Sequence, residues 1–506
     1  MTGHHAILPR GLRSNRSPLY EGRFGRMFRH LPPATFGASE AKNIAALTAL
    51  ATAMKAPRDL PKDGPDDEES AIPALYTYFG QFIDHDITFD PASSLMKAND
   101  PDALVDFRTP ALDLDNLYGR GPSDQPYMYD GNRALEVGEF LQGDGAPPAR
   151  DLPRFKGRAL IGDPRNDENS IVSQLQGLFY AFHNRMCADN PSLPLSEVQR
   201  LVRFHYQYVL IHDYLPRLIS RPVLDALKSN GHYAKDRIQF YKWRNLPFMP
   251  VEFSVAAFRL GHSMIRPGYR LNNNDAMLLP IFPTAPGEEG LTGFRTMRPG
   301  RAIDWGRFID IEVRAYDGDD EAKKRRLQLA YRIDTSIAEP LANLPAEIAG
   351  DPPPSLALRN LERAWRFGLP SGQVVARKMG VPVLADDDIV FGSDEEEGAG
   401  GGEEPKTIAE IDPVFAGNCP LWTYILAEAV KHAENVPAPV APARSIETPK
   451  LGPVGGRIIA EVFLGMLFGD GRSLLSLNPS WVPRTGPNFA LRDIVRYALG
   501  EGPALG

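Results

Sequence analysis

The chain has 506 residues, 43% of them hydrophobic, and 56 basic against 64 acidic side chains give it a formal net charge of −8. A chain of this length can bury a large core, and its slightly acidic balance without a long basic run argues against nucleic acid as a partner. It contains no N-terminal apolar run of signal-peptide length and no stretch of about 20 apolar residues, so we expect a soluble protein without a conventional export signal or a membrane span.

Helical periodicity dominates the apolar pattern, and strand signals are few and short. We interpret residues 1–70, rich in Pro, Gly, Arg and Ala, as an N-terminal arm and connector with one short helix near 39–56, capped by Ser39. The acidic end of this connector suits the start of a helix over 71–85. Residues 91–160 are predicted to be mainly loops. Further helices are predicted over 170–188, 195–218, 251–264, 327–337, 356–367, 421–436 and 457–467.

The segment 393–405 combines a run of acidic residues with a run of glycines, which is typical of a flexible surface insertion. The predicted fold class is therefore mainly α: one large helical domain over 71–500, with long loops and little β-structure. The two cysteines, Cys187 and Cys419, allow one disulfide at most and are equally consistent with buried thiols.

The densest chemical motif is Tyr78-Phe-Gly-Gln-Phe-Ile-Asp-His-Asp86. Gln81, Asp84 and His85 stand at i, i+3 and i+4, so on a helix they share one face, while Asp86 points elsewhere. One face would thus offer an amide, a carboxylate and an imidazole to a common target. An apolar helix that ends in a polar cap is the simpler alternative.

Two further motifs carry candidate functional groups. In Gly162-Asp-Pro-Arg-Asn-Asp-Glu-Asn169, Arg165 and Glu168 are spaced i, i+3 and would face one site if a helix begins at Pro164. In Phe258-Arg-Leu-Gly-His-Ser-Met264, His262 lies on an otherwise apolar helix. The simpler alternatives are a helix start with a solvated arginine and a core histidine without a ligand.

A fourth motif alternates oxygen donors along an extended segment. Thr109, Ala111 (by its carbonyl), Asp113 and Asp115 would point to one side, and Asp86 could join them. Such a group of hard oxygen ligands suits Ca²⁺, although the pattern is not that of an EF-hand. A solvated acidic loop is the alternative.

Together, Gly-Gln-Phe-Ile-Asp-His-Asp, Asp-Pro-Arg-Asn-Asp-Glu and Phe-Arg-Leu-Gly-His resemble the signature segments of the animal-type haem peroxidase family (the peroxidase–cyclooxygenase superfamily), in the family's order. The late segment from Leu451 to Val462 is also similar to it, so the resemblance spans roughly residues 70 to 500. It implies a haem enzyme of the animal peroxidase fold. Such an enzyme uses hydrogen peroxide to oxidise a small donor through a ferryl intermediate.

The resemblance also implies roles for individual residues, carried over by motif position. The distal catalytic residues are matched by His85, Gln81 and Arg165, and the proximal iron ligand by His262. Asn360 resembles the asparagine that bonds the proximal ring, and the haem propionate partners are matched by Arg259 and Arg363. The carboxylates that can be ester-linked to haem are matched by Asp84 and Glu168, and the calcium site by Asp86, Thr109, Ala111, Asp113 and Asp115.

The sequence departs from the family's most oxidising members at Asn169. Those members carry a methionine there that bonds a haem vinyl group, and an asparagine cannot form this link. We therefore expect at most two ester links to a b-type-derived haem, and a weaker oxidant than in those members. Bromide, iodide, thiocyanate or phenolic donors are more plausible than chloride.

Three alternative functions remain open from the sequence. A fatty-acid dioxygenase or cyclooxygenase-like enzyme would use a tyrosine one helical turn before the proximal histidine, where this chain has Arg259. An adhesion protein on the same fold would not need His85, Arg165 and His262 together. A non-haem metal hydrolase would use Asp84, His85, Asp86, Asp113 and Asp115, and an absorption spectrum would distinguish it from a haem protein.

Overall fold

The structure, a computed structural model, describes residues 22–56, 65–88, 105–106, 110–131, 133–141, 149–273, 278–283, 287–315, 325–349, 352–392 and 405–505. The predicted mainly α fold class is confirmed. Within the described part, the α-helices of eight residues or more are α1 Glu40–Ala53, α2 Leu75–Ile87, α3 Ser170–Asp189, α4 Leu195–Val209, α5 Leu356–Arg366, α6 Gly372–Met379, α7 Leu421–Lys431, α8 Pro453–Gly469 and α9 Leu491–Ala498.

Short helical segments connect these helices. A π-turn over Leu210–Tyr214 and a last helical turn over Leu215–Leu218 continue α4 to the predicted end near 218. Further short α-segments are Asp115–Tyr118, Arg221–Asp225, Ala346–Ala349, Ile408–Ile411 and Leu474–Leu477.

The β-structure consists of small sheets. Gly22–Gly25 pairs with Met249–Pro250 and with Val105–Asp106, Glu69–Pro73 with Leu329–Tyr331, and Glu434–Ala438 with Ala441–Thr448. The remaining strands are two-residue pairs: Tyr129–Asp130 with Ala134–Leu135, Phe140–Leu141 with Ala149–Arg150, Arg154–Phe155 with Arg158–Ala159, Lys228–Ser229 with His232–Tyr233, Gly268–Tyr269 with Leu279–Pro280, and Val390–Phe391 with Lys406–Thr407.

The central helix α2 is buried on nearly all sides. Phe82 stacks on Phe179 of α3 with ring centroids 4.5 Å apart, and Tyr206 of α4 approaches both rings edge-on. Such aromatic pairs add about 0.5–1.5 kcal/mol each beyond the burial of their area. Gly80 permits the close approach of Tyr214, whose hydroxyl would collide with a Cβ at this position. The packing holds the polar face of α2 in a fixed orientation.

Two predicted helix boundaries were wrong, and one predicted helix is a strand. The helix expected over 71–85 begins at Leu75, because Glu69–Pro73 is a strand, and the weak helix expected over 327–337 is the strand Leu329–Tyr331 that pairs with it. The helix expected over 421–436 ends at Lys431, where a hairpin follows. Each error has the same cause: the strand is specified by a partner that the local apolar pattern does not reveal.

Glu69 also corrects the prediction that the acidic end of the connector caps a helix. Its carboxylate is buried and bonds Arg266 Nη1 at 2.6 Å and Arg326 Nη2 at 2.6 Å. Nearer the N-terminus, the amides of Met27 and Phe28 both donate to the buried carboxylate of Glu252 at 3.0 Å. The described part of the N-terminal segment is thus tied to the segment that leads to His262.

Cys187 and Cys419 are buried free thiols. Residues 393–404 of the predicted acidic insertion lie outside the described residues, as do 1–21 of the predicted arm. Across the described ranges, no helix combines the length and apolarity that crossing a bilayer requires.

Candidate functional site

One internal cavity of about 430 Å³ brings together most of the residues singled out from the sequence. Its walls come from α2, the turn before α3, the segment that ends at His262, and α5. The polar lining consists of Gln81, Asp84, His85, Arg165, Glu168, Asn169, Arg259, His262, Arg359, Asn360 and Arg363. Apolar side chains, among them Phe258, Leu341 and Leu344, complete the lining. The face shared by Gln81, Asp84 and His85 therefore faces this cavity.

His85 is buried, and its Nδ1 lies 2.6 Å from Oδ1 of Asn166. Burial lowers the pKa of His85 to about 4, and the neighbouring Arg165 guanidinium contributes to the lowering. The ring is therefore neutral near pH 7. A neutral imidazole with a free ring nitrogen can accept a proton from a molecule in the cavity.

Arg165 lies on a short 3₁₀ helix, Pro164–Asp167, with Pro164 at its first position and Asp163 as its N-cap. The Arg165 Nη2 donates to Asp163 Oδ2 at 2.8 Å, to the carbonyl of His85 at 3.3 Å, and to the carbonyl of Thr88. The guanidinium is thus held next to the end of α2 that carries His85.

Two carboxylates, Glu168 and Asp84, also line the cavity. Gln81 Nε2 donates to Glu168 Oε1, and Thr88 Oγ1 donates to Asp84 Oδ1 at 3.1 Å. Burial raises the pKa of Glu168 to about 7, although the Arg165 charge acts in the opposite direction. A sizeable fraction of Glu168 therefore carries a proton at neutral pH.

Asn169 has a structural role that explains its identity. Its side-chain oxygen accepts from the amides of Ile171 and Val172 at 3.1 and 2.9 Å and caps α3, while its Nδ2 lies 3.4 Å from Gln81 Oε1. Asparagine is among the best N-cap residues. The side chain is therefore committed to α3 on one side and to Gln81 on the other.

His262 ends an irregular helical segment rather than the regular α-helix expected over 251–264. A π-turn, Glu252–Ala256, is followed by a 3₁₀ helix, Ala257–His262. Burial lowers the pKa of His262 to about 3, with a further contribution from Arg259. Arg259 in turn lies 3.6 Å from Asp84 through Nη1 and Oδ2. The imidazole is neutral and so has the protonation state that metal binding requires.

Asn360 on α5 contacts His262 through its amide nitrogen, with Nδ2 and Nδ1 2.8 Å apart. In the observed orientation, Nδ1 of His262 accepts and the ring proton resides on Nε2. A half-turn of the amide would put its oxygen on Nδ1 and free Nε2 for a metal. The orientation of this amide therefore decides whether Nε2 of His262 is free to act as a ligand.

The acidic motif converges at the far side of α2. Carboxylate oxygens of Asp86, Asp113 and Asp115 lie within 4.8 Å of one another. Burial, and then the charges of the other two carboxylates, raise the pKa of Asp86 well above its ordinary value. Tyr206 donates to Asp86 Oδ2 at 3.1 Å, but Oδ1 of Asp86 is buried without a hydrogen-bond partner.

Three convergent carboxylates, of which Asp86 is buried, have the donor chemistry of a divalent cation site. The backbone is not fully extended as expected, since Leu114 has a left-handed φ of 60° that turns Asp115 into a short helix. Ala111 is buried in the same loop, and Thr109 lies outside the described residues.

Sequence reasoning missed Asn166, which contacts His85, and Gln176, which contacts Asn166. Asn166 Nδ2 donates to Gln176 Oε1 at 2.7 Å. Asn166 lies inside the motif that carries Arg165, so proximity in sequence was an available signal. Gln176 gave none, because its role depends on how α3 packs against α2.

The other buried histidines have local partners. His183 bonds the Tyr118 hydroxyl through Nδ1 at 3.0 Å and the Arg133 carbonyl through Nε2 at 2.8 Å. His205 bonds the Leu201 carbonyl at 2.8 Å on its own helix. Neither lines the cavity.

The residues around the cavity fit a haem group. A neutral imidazole, His262, is available as an axial ligand, and apolar side chains suit a porphyrin. The cations Arg259, Arg359 and Arg363 suit its two carboxylates. A second neutral imidazole, His85, lines the same cavity.

Comparison with known proteins agrees with this fit. The family model for animal haem peroxidase matches residues 95–282. The chain is 24% identical over 302 residues to the peroxidasin homolog of Mus musculus, covering 55% of this chain and 19% of that protein. It is 28% identical over 140 residues to thyroid peroxidase of Rattus norvegicus, covering 26% and 14%. The chain thus spans less than a fifth of the length of these relatives.

Two solved structures show the same fold. Peroxidase A from Dictyostelium discoideum matches with a TM-score of 0.58 at 15% identity, covering 97% of this chain and 96% of that one. A fatty acid alpha-dioxygenase from Oryza sativa matches with a TM-score of 0.53 at 15% identity, covering 92% and 79%. Residues 95–282 thus match the animal haem peroxidase family, and the chain has the fold of these solved structures.

Proposed function

We propose that this protein is a haem peroxidase that uses hydrogen peroxide to oxidise a small donor. The observation that carries the proposal is the single cavity lined by His85, Arg165 and His262. Haem bound there would supply the redox chemistry, His262 would hold its iron, and the nearby arginines would pair with its carboxylates. The rest of the mechanism concerns protons and charge, which this chain's own residues handle.

His85 is the proposed acid–base residue. Its neutral ring would accept a proton from one oxygen of hydrogen peroxide and return it to the other, which would leave as water, while the haem would supply the two electrons for O–O cleavage and retain the first oxygen. Arg165 stabilises the negative charge that develops on the leaving oxygen. One preorganised donor of this kind is typically worth about 2.7–4 kcal/mol. Gln81, next to His85 on the same face, would orient the peroxide.

The proposed donors are bromide, iodide, thiocyanate or a small phenol. Asn169 supports this choice over chloride, because it cannot supply the thioether of the most oxidising members of the family. Asp84 and Glu168 both line the cavity and are the candidates for ester links to haem. A donor screen at fixed peroxide and mass spectrometry of the haem peptide after digestion test these two points.

Two variants test the assignment of the two histidines. His262→Ala should lose stable haem binding, whereas His85→Ala should retain haem and lose about 100-fold or more of its rate with peroxide. The exposed His212→Ala is the matched control and should behave like the parent. If both cavity variants bind haem and react like the parent, or if the haem-supplied parent shows no Soret band, the proposal fails.

The alternatives have less support. A fatty-acid dioxygenase needs a tyrosine one turn before the axial histidine, and Arg259 at that position is paired with Asp84. A metal hydrolase would need one shared site, but Asp84 and His85 line the cavity while the carboxylate cluster formed among the described residues is Asp86, Asp113 and Asp115. An adhesion protein would have no use for the paired imidazoles and Arg165.

A further inference from the structure

Three buried amide-bearing residues connect His85 to the backbone of the neighbouring segment. Asn166 Oδ1 lies 2.6 Å from His85 Nδ1, and Asn166 Nδ2 donates to Gln176 Oε1 at 2.7 Å. Gln176 Nε2 donates to the backbone carbonyl of Asn116 at 3.2 Å, and Asn116 Nδ2 donates to the carbonyl of Phe82 on α2 at 3.0 Å. Asn116, Asn166 and Gln176 are fully buried, so water does not compete for these bonds.

The direction of this chain of hydrogen bonds is fixed at its far end. A backbone carbonyl can only accept, so Gln176 must turn its nitrogen to Asn116 and its oxygen to Asn166. Asn166 must then turn its nitrogen to Gln176 and its oxygen to His85. The reverse arrangement would place the Gln176 oxygen about 3.2 Å from the Asn116 oxygen, with two buried acceptors facing each other.

An amide oxygen can only accept, so the His85 ring nitrogen that faces it must carry the proton. We propose that Asn166 and Gln176 are positioning residues that hold His85 in the tautomer with the proton on Nδ1, which leaves the lone pair of Nε2 free as the base. This inference rests on the proposed function for its kinetic consequence, because an imidazole in the other tautomer cannot accept the peroxide proton through Nε2.

The connection also reaches the carboxylate cluster. Asn116 directly follows Asp115 in the short helix Asp115–Tyr118, and its side chain bonds α2 three residues before His85. The orientation of the base thus depends on the loop that carries Asp113 and Asp115.

The first experiment interrupts the chain of hydrogen bonds from Gln176 through Asn166 to His85, here called the relay, without adding charge. Gln176→Leu should slow both the reaction with peroxide and the association of cyanide about tenfold or more, since both need the same base, while the haem spectrum is retained. Asn166→Leu should slow both reactions by at least the same factor. The double variant should be no slower than Asn166→Leu alone, because Gln176 acts only through Asn166.

The matched control is Gln174→Leu. Gln174 is a buried glutamine on the same helix, but it bonds the carbonyl of Arg301 and the amide of Ile303, each at 2.8 Å, away from the cavity. It should react with peroxide and cyanide at the parental rates. If Gln176→Leu also reacts at the parental rates, or if the losses of the two relay variants simply add, the proposal is overturned.

A second experiment uses a nearly isosteric substitution, which leaves no empty space in the core. Asn166→Asp places a carboxylate on Nδ1, which favours the charged ring, so the acid limb of the cyanide association rate should move upward by about one pH unit or more. If the acid limb of the cyanide association rate does not move, residue 166 does not contact the His85 ring and the proposal fails. This outcome is informative even if Gln176→Leu does not fold.

Nitrogen-15 spectra of the full-length, histidine-labelled chain separate this inference from the proposed function. The His85 resonance should show a protonated Nδ1 in the parent and a mixture of tautomers in Gln176→Leu, whether or not the protein turns over peroxide. A protonated Nε2 in the parent would contradict the relay directly. Absence of turnover with the expected tautomer would contradict the proposed function alone.

Discussion

At the scale of single residues, burial decides the chemistry of the two cavity histidines. It lowers the pKa of His85 to about 4 and that of His262 to about 3, and in both cases an arginine adds to the effect. Both rings are therefore neutral over the whole physiological range. One can then act as a base and the other as a ligand without first losing a proton.

The first prediction concerns the pH dependence of the reaction with peroxide. The working form of His85 is the deprotonated one, which persists above its pKa of about 4 and is lost below it. The rate constant should therefore be flat from pH 7 to about pH 5 and fall at lower pH. Stopped-flow measurement of the haem-bound protein across this range checks the expectation.

The Arg165→Gln variant tests the cause of this low value. Removing the guanidinium charge takes away one of the two main influences that lower the pKa of His85, so the acid limb should move upward while the rate itself falls. A limb near pH 6.5 in the parent would show that His85 is not held neutral by its surroundings.

The second prediction concerns Asn360. Replacing its amide by a carboxylate, Asn360→Asp, gives His262 Nδ1 an anionic acceptor, which makes the ring a stronger donor to iron. The ferric–ferrous midpoint potential of the bound haem should become more negative. Spectroelectrochemical titration measures the shift. Asn230→Asp is the control, because Asn230 is exposed in the turn between Lys228–Ser229 and His232–Tyr233 and does not line the cavity. A potential unchanged by Asn360→Asp would argue against His262 as the axial ligand.

At the scale of elements, the helices with local signals were predictable. Ser39 caps α1 as predicted, because an N-cap acts on amides only two or three residues away, and α5 begins at the predicted residue, Leu356. The cavity face of α2 was predictable for a similar reason, since the spacing of Gln81, Asp84 and His85 depends only on helical geometry.

The elements that were missed depend on contacts between distant residues. Leu329–Tyr331 is a strand because Glu69–Pro73 lies beside it, some 260 residues earlier in the chain. The π-turn and 3₁₀ segment before His262 pack against α5, α7 and α8, and no local pattern records these contacts. Gln176 belongs to the same group, because its contact with Asn166 exists only after α3 has docked.

The third prediction concerns the loop that joins the carboxylate cluster to α2. If Asp86, Asp113 and Asp115 bind calcium, chelation should lower the thermal unfolding temperature and slow the reaction with peroxide, because Asp86 is the neighbour of His85. Asp113→Ala should behave like the chelated parent and contain less calcium by elemental analysis.

Asp124 provides the control, since it forms an exposed ion pair with Arg120 outside the cluster. Asp124→Ala should keep both its calcium and its unfolding temperature. Chelation that removes calcium yet leaves haem and turnover intact would contradict the link between the cluster and His85.

At the scale of the whole molecule, a buried ion cluster ties together three segments that are distant in sequence. Glu69 bonds Arg266, four residues after His262, and Arg326, and the three side chains are at most 4% exposed. One buried carboxylate thus pairs with two guanidinium groups. Removing a partner from a buried pair is costly because it leaves an uncompensated charge in a region of low polarity.

The fourth prediction follows from this cluster. Glu69→Ala should lower the free energy of unfolding by about 3–5 kcal/mol, measured by denaturant unfolding at pH 7. Glu447→Ala is the control, because Glu447 is 62% exposed and pairs with Arg332 at 3.3 Å, and its loss should cost less than about 1 kcal/mol. Equal costs for the two variants would mean that the three segments are held by apolar packing and that the buried cluster adds little.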